Sequence, residues 1–252
     1  MLWILDLRSW ETPPAAWLEV LDEAERDQCQ RFHRAKDRLA YAAAHALLRR
    51  ALSRTLEIPP ESIKMARDTN GKPFLVREHL PIAGGKWGLE AAWAARPWVA
   101  PNQCDMSKMP MTHFSLSHTE GMVAVAISEA GPVGVDVEAV DRKNVPHTDF
   151  SAFGLSSEET AHLAALSEPD RSETFIDLWT AREAVAKADG RGLSLPFARI
   201  RIDRAGTSAE IAAEETSPAR RWRLWRERPS PRHRLALAGP EDGTLTQMGA
   251  LL

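Results

Sequence analysis

Residues 175–193 read FIDLWTAREAVAKADGRGL, and this stretch predicts the helix around which the fold is organised. Apolar residues recur along it near helical spacing, with good helix formers between them, and Gly190 predicts its end. Trp179, Glu183 and Lys187 stand four apart, so on a helix they share one face. The predicted helix therefore presents a ring, a carboxylate and an ammonium side by side.

The helix alone leaves two interpretations of Glu183 and Lys187 open. Glu–Lys pairs at this spacing are common on solvent-exposed faces, and this ordinary interpretation is favoured while the helix is considered by itself. The other interpretation is that the face carries a functional site, which needs support from elsewhere in the chain.

A second stretch, GPVGVDVEAV at residues 131–140, supplies that support. Valines alternate with other residues at the period of a half-buried strand. Asp136 and Glu138 are two apart, so their carboxylates emerge on the same face of the strand. Mg²⁺ is usually held by one or two such carboxylates together with substrate phosphates. A solvent-facing edge strand, which tolerates acids, is the alternative.

The two stretches together resemble the signature pair of 4′-phosphopantetheinyl transferases of the surfactin-synthetase-activating type. Residues 134–138, GVDVE, correspond to the family's G-[IV]-D-[IV]-E, and residues 179–187, WTAREAVAK, to W-[ST]-x-K-E-[AS]-x-x-K, with Arg182 where Lys is commoner. GKPF at 71–74 and FSLSHT at 114–119 match two further family motifs in the expected order. Four ordered motifs are a far stronger signal than any one of them.

The resemblance implies Mg²⁺-dependent transfer of 4′-phosphopantetheine from coenzyme A to a serine of an apo acyl or peptidyl carrier protein, releasing adenosine 3′,5′-bisphosphate. Such a reaction needs neutralisation of the pyrophosphate, a base and a stabilised leaving group. By resemblance Asp136, Glu138 and Glu183 hold Mg²⁺. Glu183, with Glu138 next, takes the serine proton, and Lys187 stabilises the leaving phosphate. The alternatives are a catalytically silent coenzyme A or carrier-protein binding module, and a two-metal phosphoesterase.

Several basic and polar residues are assigned by the resemblance to the phosphates of coenzyme A. A basic cluster precedes a predicted helix at residues 31–52, where the helix dipole favours anions over cations. A bound anion would explain the cluster, and a solvated charged face is an equally weighted alternative. The residues expected to bind coenzyme A are Lys72, Ser117, His118, Arg34, Lys36 and Arg38.

Composition excludes several classes of function. The formal net charge of −3 argues against nucleic acid or an anionic membrane as the main partner. The basic and aromatic run at residues 219–234 is better interpreted as an antiparallel edge hairpin with prolines at its tip. The two cysteines give neither a disulfide framework nor a metal spacing. With no secretory signal and no long apolar run, we expect a cytoplasmic monomer.

The predicted fold is α/β in content, of the α+β kind. By resemblance it has two halves related by a pseudo-twofold axis, each with a small antiparallel sheet on a long helix. We place the coenzyme A-binding half at residues 1–129, with a long insertion at 82–110, and the metal-binding and catalytic half at 130–252. A single helix is expected over 15–31, and a hairpin turn at Gly131-Pro132 is expected to join the DVE strand to the strand before it.

Overall fold

The computed structural model describes residues 1–76, 111–141, 153–213 and 218–248, and the predicted insertion at 82–110 lies outside them. The described part contains five α-helices and eleven strands, which confirms the mixed composition predicted from the sequence. The helices are α1 (Ala15–Glu19), α2 (Glu23–Arg31), α3 (Ala35–Leu56), α4 (Ser157–Ala165) and α5 (Asp170–Asp189). The strands are β1 (Leu2–Asp6), β2 (Met65–Arg67), β3 (Pro73–Leu75), β4 (His113–Thr119), β5 (Met122–Ser128), β6 (Gly134–Ala139), β7 (Ile200–Ile202), β8 (Ser208–Ile211), β9 (Arg220–Ser230), β10 (His233–Gly239) and β11 (Gln247–Met248).

Two small sheets each pack on one long helix. The first has the order β11-β1-β5-β4 and packs on α3, and the second has the order β6-β10-β9-β8-β7 and packs on α5. Neighbouring strands are antiparallel except β11, which runs parallel to β1. Strand β11 thus brings the end of the described chain into the first sheet. The division into halves at residue 129 stays a prediction.

The helices begin and end largely where local chemistry places them. Helix α5 ends at Gly190, as predicted, and α4 begins after Ser156, whose side chain forms a capping box with Glu159. The single helix expected over 15–31 is wrong, because the chain forms α1 and α2 instead. Asp22 interrupts it by accepting a hydrogen bond from the Glu25 N–H, while its own N–H donates to the Glu25 carboxylate.

The hairpin expected between β5 and β6 is also wrong. Strand β5 lies between β1 and β4, whereas β6 pairs with β10 in the other sheet. The free side of β6 meets hydroxyl groups of β4, which take the place of a backbone ladder. We call this junction the β4–β6 seam. Along it the N–H groups of Val135, Val137 and Ala139 donate to the hydroxyl oxygens of Ser115, Ser117 and Thr119 at 3.0, 3.3 and 3.3 Å.

Strands β9 and β10 form the predicted hairpin, but it does not lie at an edge of the sheet. Strand β8, which the sequence pattern did not reveal, pairs with β9 and covers its outer side, and β7 lies beyond it. Trp222 and Leu224 are consequently buried between this sheet and α5. Among the described residues, no helix has the length and apolarity needed to cross a membrane.

Candidate active site

Close packing of β6 on α5 creates the site. A Cβ atom at Gly134 would lie 2.0 Å from the carbonyl oxygen of Ala184 and 2.4 Å from the backbone nitrogen of Ala188. Only glycine allows the strand to approach the helix backbone this closely. The glycine of the GVDVE stretch therefore sets the distance between the acidic strand and the last turns of α5.

Asp136 and Lys187 meet across this contact. The Lys187 Nζ donates to Asp136 Oδ1 at 2.6 Å and to the hydroxyl oxygen of Ser117 at 3.2 Å. The Ser117 hydroxyl in turn donates to Asp136 Oδ1 at 2.8 Å. Side-chain exposure is 5% for Asp136 and 29% for Lys187, so this ion pair is not a solvent-exposed pair on a helix surface. The structure thus joins three motif residues that are distant in the sequence.

The other carboxylate oxygen of Asp136 is suited to the role of a metal ligand. Asp136 Oδ2 is buried and has no hydrogen-bond partner among the described residues. Burying a charged oxygen without a partner is costly, and a hard cation is a suitable partner for it. Glu138 lies on the same strand two residues on, and its carboxylate accepts a hydrogen bond from the Thr119 hydroxyl at 3.3 Å. In the described part of the chain, no three His, Cys, Asp or Glu side chains are grouped closely enough to hold a metal by themselves.

Two residues of the helix signature, Trp179 and Arg182, are held by contacts within the protein. Trp179 packs among Phe153, Phe175 and Phe197 with ring centroids 5.3 to 6.3 Å away, as expected for a core position. Arg182 is 2% exposed, and its Nη2 donates to both carboxylate oxygens of Glu159 at 2.8 and 2.6 Å. The arginine that departs from the family pattern therefore ties α4 to α5.

An open cleft of about 830 Å³ lies between the first sheet, α3 and the end of α5. Ser117, His118 and Lys187 line it from one side. His118 is exposed on this wall, yet the protein packed around it lowers its pKa, and the positive charges of His45 and Lys187 act in the same direction. A ring that stays neutral at pH 7 can still donate one N–H to an anionic oxygen.

The lysine of GKPF is already engaged by protein. The Lys72 Nζ donates to the carbonyl oxygen of Lys187 at 2.6 Å and to that of Ala188 at 3.4 Å. It lines a recess of about 210 Å³ beside the larger cleft, together with Pro73 and Phe114. The structure thus places Lys72 at the site, but with its donors directed at the end of α5.

The three basic residues at the start of α3 are not among those lining the two cavities. Arg34 is the exposed N-cap residue of α3 and makes no capping bond with its side chain. Lys36 pairs with Glu120 at 2.9 Å, and Arg38 donates to the Phe32 carbonyl at 3.0 Å. Their assignment to coenzyme A stays a prediction.

Sequence reasoning missed a buried ionic cluster on the far wall of the cleft. The Glu25 carboxylate contacts His45 Nδ1 at 2.8 Å and accepts from Arg49 Nε at 2.6 Å. Tyr41 stacks on His45 with ring centroids 4.2 Å apart. The signal was present in the sequence, because Tyr41, His45 and Arg49 recur every four residues in the otherwise apolar stretch 39–49.

Two family models match this chain. One, for the 4′-phosphopantetheinyl transferase superfamily, matches residues 132–238, and one for the N-terminal region of 4′-phosphopantetheinyl transferases matches residues 8–87. Together they cover more than two thirds of the chain. The chain belongs to the 4′-phosphopantetheinyl transferase superfamily. Asp136, Glu138, Glu183 and Lys187 all lie within the first match.

Individual relatives are similar at low identity. The 4′-phosphopantetheinyl transferase Sfp of Bacillus subtilis is 21% identical over 72% of this chain and 65% of its own length. The L-aminoadipate-semialdehyde dehydrogenase-phosphopantetheinyl transferase of Rattus norvegicus is 23% identical over 83% of this chain and 62% of its own length. The 4′-phosphopantetheinyl transferase HetI of a Nostoc strain is 24% identical over 88% and 80%. The chain thus spans less than two thirds of the Bacillus and rat proteins.

Proposed function

We propose that this superfamily member transfers 4′-phosphopantetheine from coenzyme A to a serine hydroxyl of an apo acyl or peptidyl carrier protein and releases adenosine 3′,5′-bisphosphate. The observation that carries the proposal is the contact of the buried Asp136 carboxylate with Ser117 and Lys187, two residues that line the cleft. It combines a buried carboxylate, one oxygen of which has no partner among the described residues, with an ammonium that is partly exposed to the cleft. A pyrophosphate substrate that binds a divalent cation complements both groups.

Mg²⁺ is proposed as the cation, because carboxylate oxygens are ligands that it prefers. Asp136 would hold it through the unpartnered Oδ2, and Glu138 and Glu183 are proposed as the other protein ligands. Because Mg²⁺ usually takes one or two protein carboxylates together with phosphates and water, the substrate is expected to complete the coordination. When bound, the ion would supply neutralisation of the pyrophosphate charge.

The residues of α5 are proposed to manage the proton and the leaving group. The serine Oγ of the carrier forms a bond to the β-phosphorus of coenzyme A, and the bond from that phosphorus to the bridging oxygen breaks. Glu183, with Glu138 as the second candidate, accepts the serine proton. The electron pair of the broken bond stays on the leaving 5′-phosphate, which accepts a hydrogen bond from Lys187.

Recognition of coenzyme A is assigned to the cleft. His118 is proposed to donate an N–H to a phosphate oxygen. Ser117 is proposed to bind coenzyme A and also to hold Asp136 in place, because its hydroxyl already donates to that carboxylate. Arg34, Lys36 and Arg38 are proposed to attract the nucleotide phosphates from the start of α3. The Lys72 ammonium has a different environment, because it already donates to carbonyl oxygens at the end of α5.

A single assay tests the proposal against the alternatives. The protein, Mg²⁺ and coenzyme A are incubated with an apo carrier domain, and with the same domain in which the acceptor serine is replaced by alanine. We expect the mass of one phosphopantetheine group on the first carrier only. Binding of coenzyme A without a mass gain would support a silent binding module, and cleavage of coenzyme A without a gain would support a phosphoesterase.

A further inference from the structure

The C-terminal end of α5 is capped by the turn between β2 and β3. Gly190 adopts a left-handed conformation with φ 96°, and its N–H donates to the Ala186 carbonyl. The carbonyls that follow have no partner further along the helix. The Lys72 Nζ donates to those of Lys187 and Ala188, and Asn70 Nδ2 donates to that of Gly190 at 3.3 Å.

The turn that carries these donors is itself well fixed. The carboxylate of Asp68 accepts the backbone N–H groups of Asn70 and Lys72, both at 2.9 Å. Gly71 supplies the left-handed residue that the turn requires, with φ 81°. Arg67 donates to the Gly71 carbonyl at 2.9 Å. The donors of Lys72 and Asn70 therefore start from a backbone with little freedom.

Electrostatics favour an ammonium at this place. The end of a helix carries partial negative charge, and a cation there is stabilising. Burial lowers the pKa of Lys72, and the charges of Asp68 and Asp189 oppose that effect. The half-buried ammonium has exchanged part of its water for the carbonyl oxygens of α5.

We propose that Lys72 is a positioning residue that caps α5 and thereby fixes Lys187, and that it is not a phosphate ligand. The carbonyl it holds most closely belongs to Lys187 itself, whose ammonium reaches Asp136. When the last turn of α5 loosens, Lys187 Nζ is displaced from the reacting phosphate. The catalytic consequence rests on the proposed function of Lys187, whereas the capping itself does not.

The test replaces Lys72 with Met, which keeps much of the side chain and removes the donors. We expect amide hydrogen exchange in the last turn of α5 to speed up about tenfold or more, because a hydrogen bond from a charged group is lost there. We also expect kcat to fall about tenfold with the coenzyme A Kd, measured by calorimetry, changed by less than about twofold. Lys64→Met is the matched control, because Lys64 is an exposed lysine just before the same hairpin.

Two further variants keep the proposal falsifiable. Lys72→Arg retains a donor and should restore most of the exchange protection. Asn70→Ala removes the bond to Gly190 without changing charge, so it should speed exchange in the same turn by a smaller factor. A tenfold weaker affinity for coenzyme A in Lys72→Met, with unchanged exchange, would overturn the proposal in favour of a phosphate ligand. The exchange measurement decides the capping even for a protein without transferase activity, so failure of the proposed function is recognised separately.

Discussion

The two long helices α3 and α5 both carry buried charges, but they treat them differently. On α3, Arg49 is fully buried, and every one of its nitrogens donates to a protein oxygen: Nε to Glu25, Nη2 to Asp22 at 2.5 Å, and Nη1 to the carbonyls of Pro60 and Ile63 at 3.0 Å. Burial of Glu25 would raise its pKa, but the hydrogen bonds from His45 and Arg49 outweigh burial and leave that pKa lowered. Every nitrogen of the Arg49 guanidinium thus has a protein partner, and we call such a network closed.

The charges beside α5 form an open network. Asp136 is as deeply buried as Glu25, yet one of its carboxylate oxygens has no hydrogen-bond partner in the described part of the chain. Lys187 is partly exposed to the cleft. A closed network of buried charges fixes structure, whereas an open one leaves bonding capacity for a ligand. The difference predicts that charge removal affects stability near α3 and activity near α5.

The largest effect is expected from Asp136→Asn. Because this change removes the proposed metal-binding charge, we expect transfer to a carrier protein to fall by about a thousandfold. The melting temperature should change little, since Asn can keep the hydrogen bond with Ser117 and Lys187 can turn towards solvent. The measurement is kcat/KM over a range of Mg²⁺ concentrations beside a thermal melt. Turnover near the wild-type level at saturating Mg²⁺ would contradict the metal assignment.

Arg49→Met is the complementary change in the closed network. It leaves Glu25 and Asp22 without their buried partner, so we expect about 3–5 kcal/mol less free energy of unfolding. Denaturant unfolding measures this value. Arg54→Met on the same helix is the matched control, because Arg54 is exposed near the helix end and should matter by less than about 1 kcal/mol. Similar losses of unfolding free energy in both variants would mean that Arg49 in the closed network stabilises the fold no more than an exposed arginine does.

Sequence reasoning succeeded where the information is local and failed where it depends on partners. Periodicity predicted α5, and alternation predicted the strand that carries Asp136 and Glu138, because both patterns record which face is buried. The pairing of β6 with β10 was missed, because it joins strands far apart in the sequence and alternation does not identify a strand's partner. The capping of α5 by Lys72 joins residues 115 positions apart, which no local pattern encodes.

Tyr41 offers a spectroscopic test of the α3 cluster, because it is the only tyrosine in the chain. Burial, followed by the nearby charge of Glu25, raises its pKa from 10.0 to about 12. The folded state therefore holds the phenolic proton more tightly, and stability should fall as pH rises from about 10 to about 12. Absorbance of the ionised phenol against pH measures the midpoint, with the denatured chain as control. A folded-state midpoint near that of the denatured chain would show that Tyr41 is not packed against the cluster.

The smallest effect concerns the way the two helices end. Helix α5 ends at Gly190, whereas α3 ends at Glu57, which holds the left-handed conformation with φ 55° and ψ 42°. A residue with a Cβ is strained there, and Glu57 is exposed, so Glu57→Gly should raise the free energy of unfolding by about 0.5–1 kcal/mol. Glu57→Ala separates two causes, because it removes the carboxylate from the negative end of the helix but keeps the strain. Denaturant unfolding of both variants measures the difference. Equal stability of the Ala and Gly variants would mean that charge, and not backbone conformation, distinguishes the ends of α3 and α5.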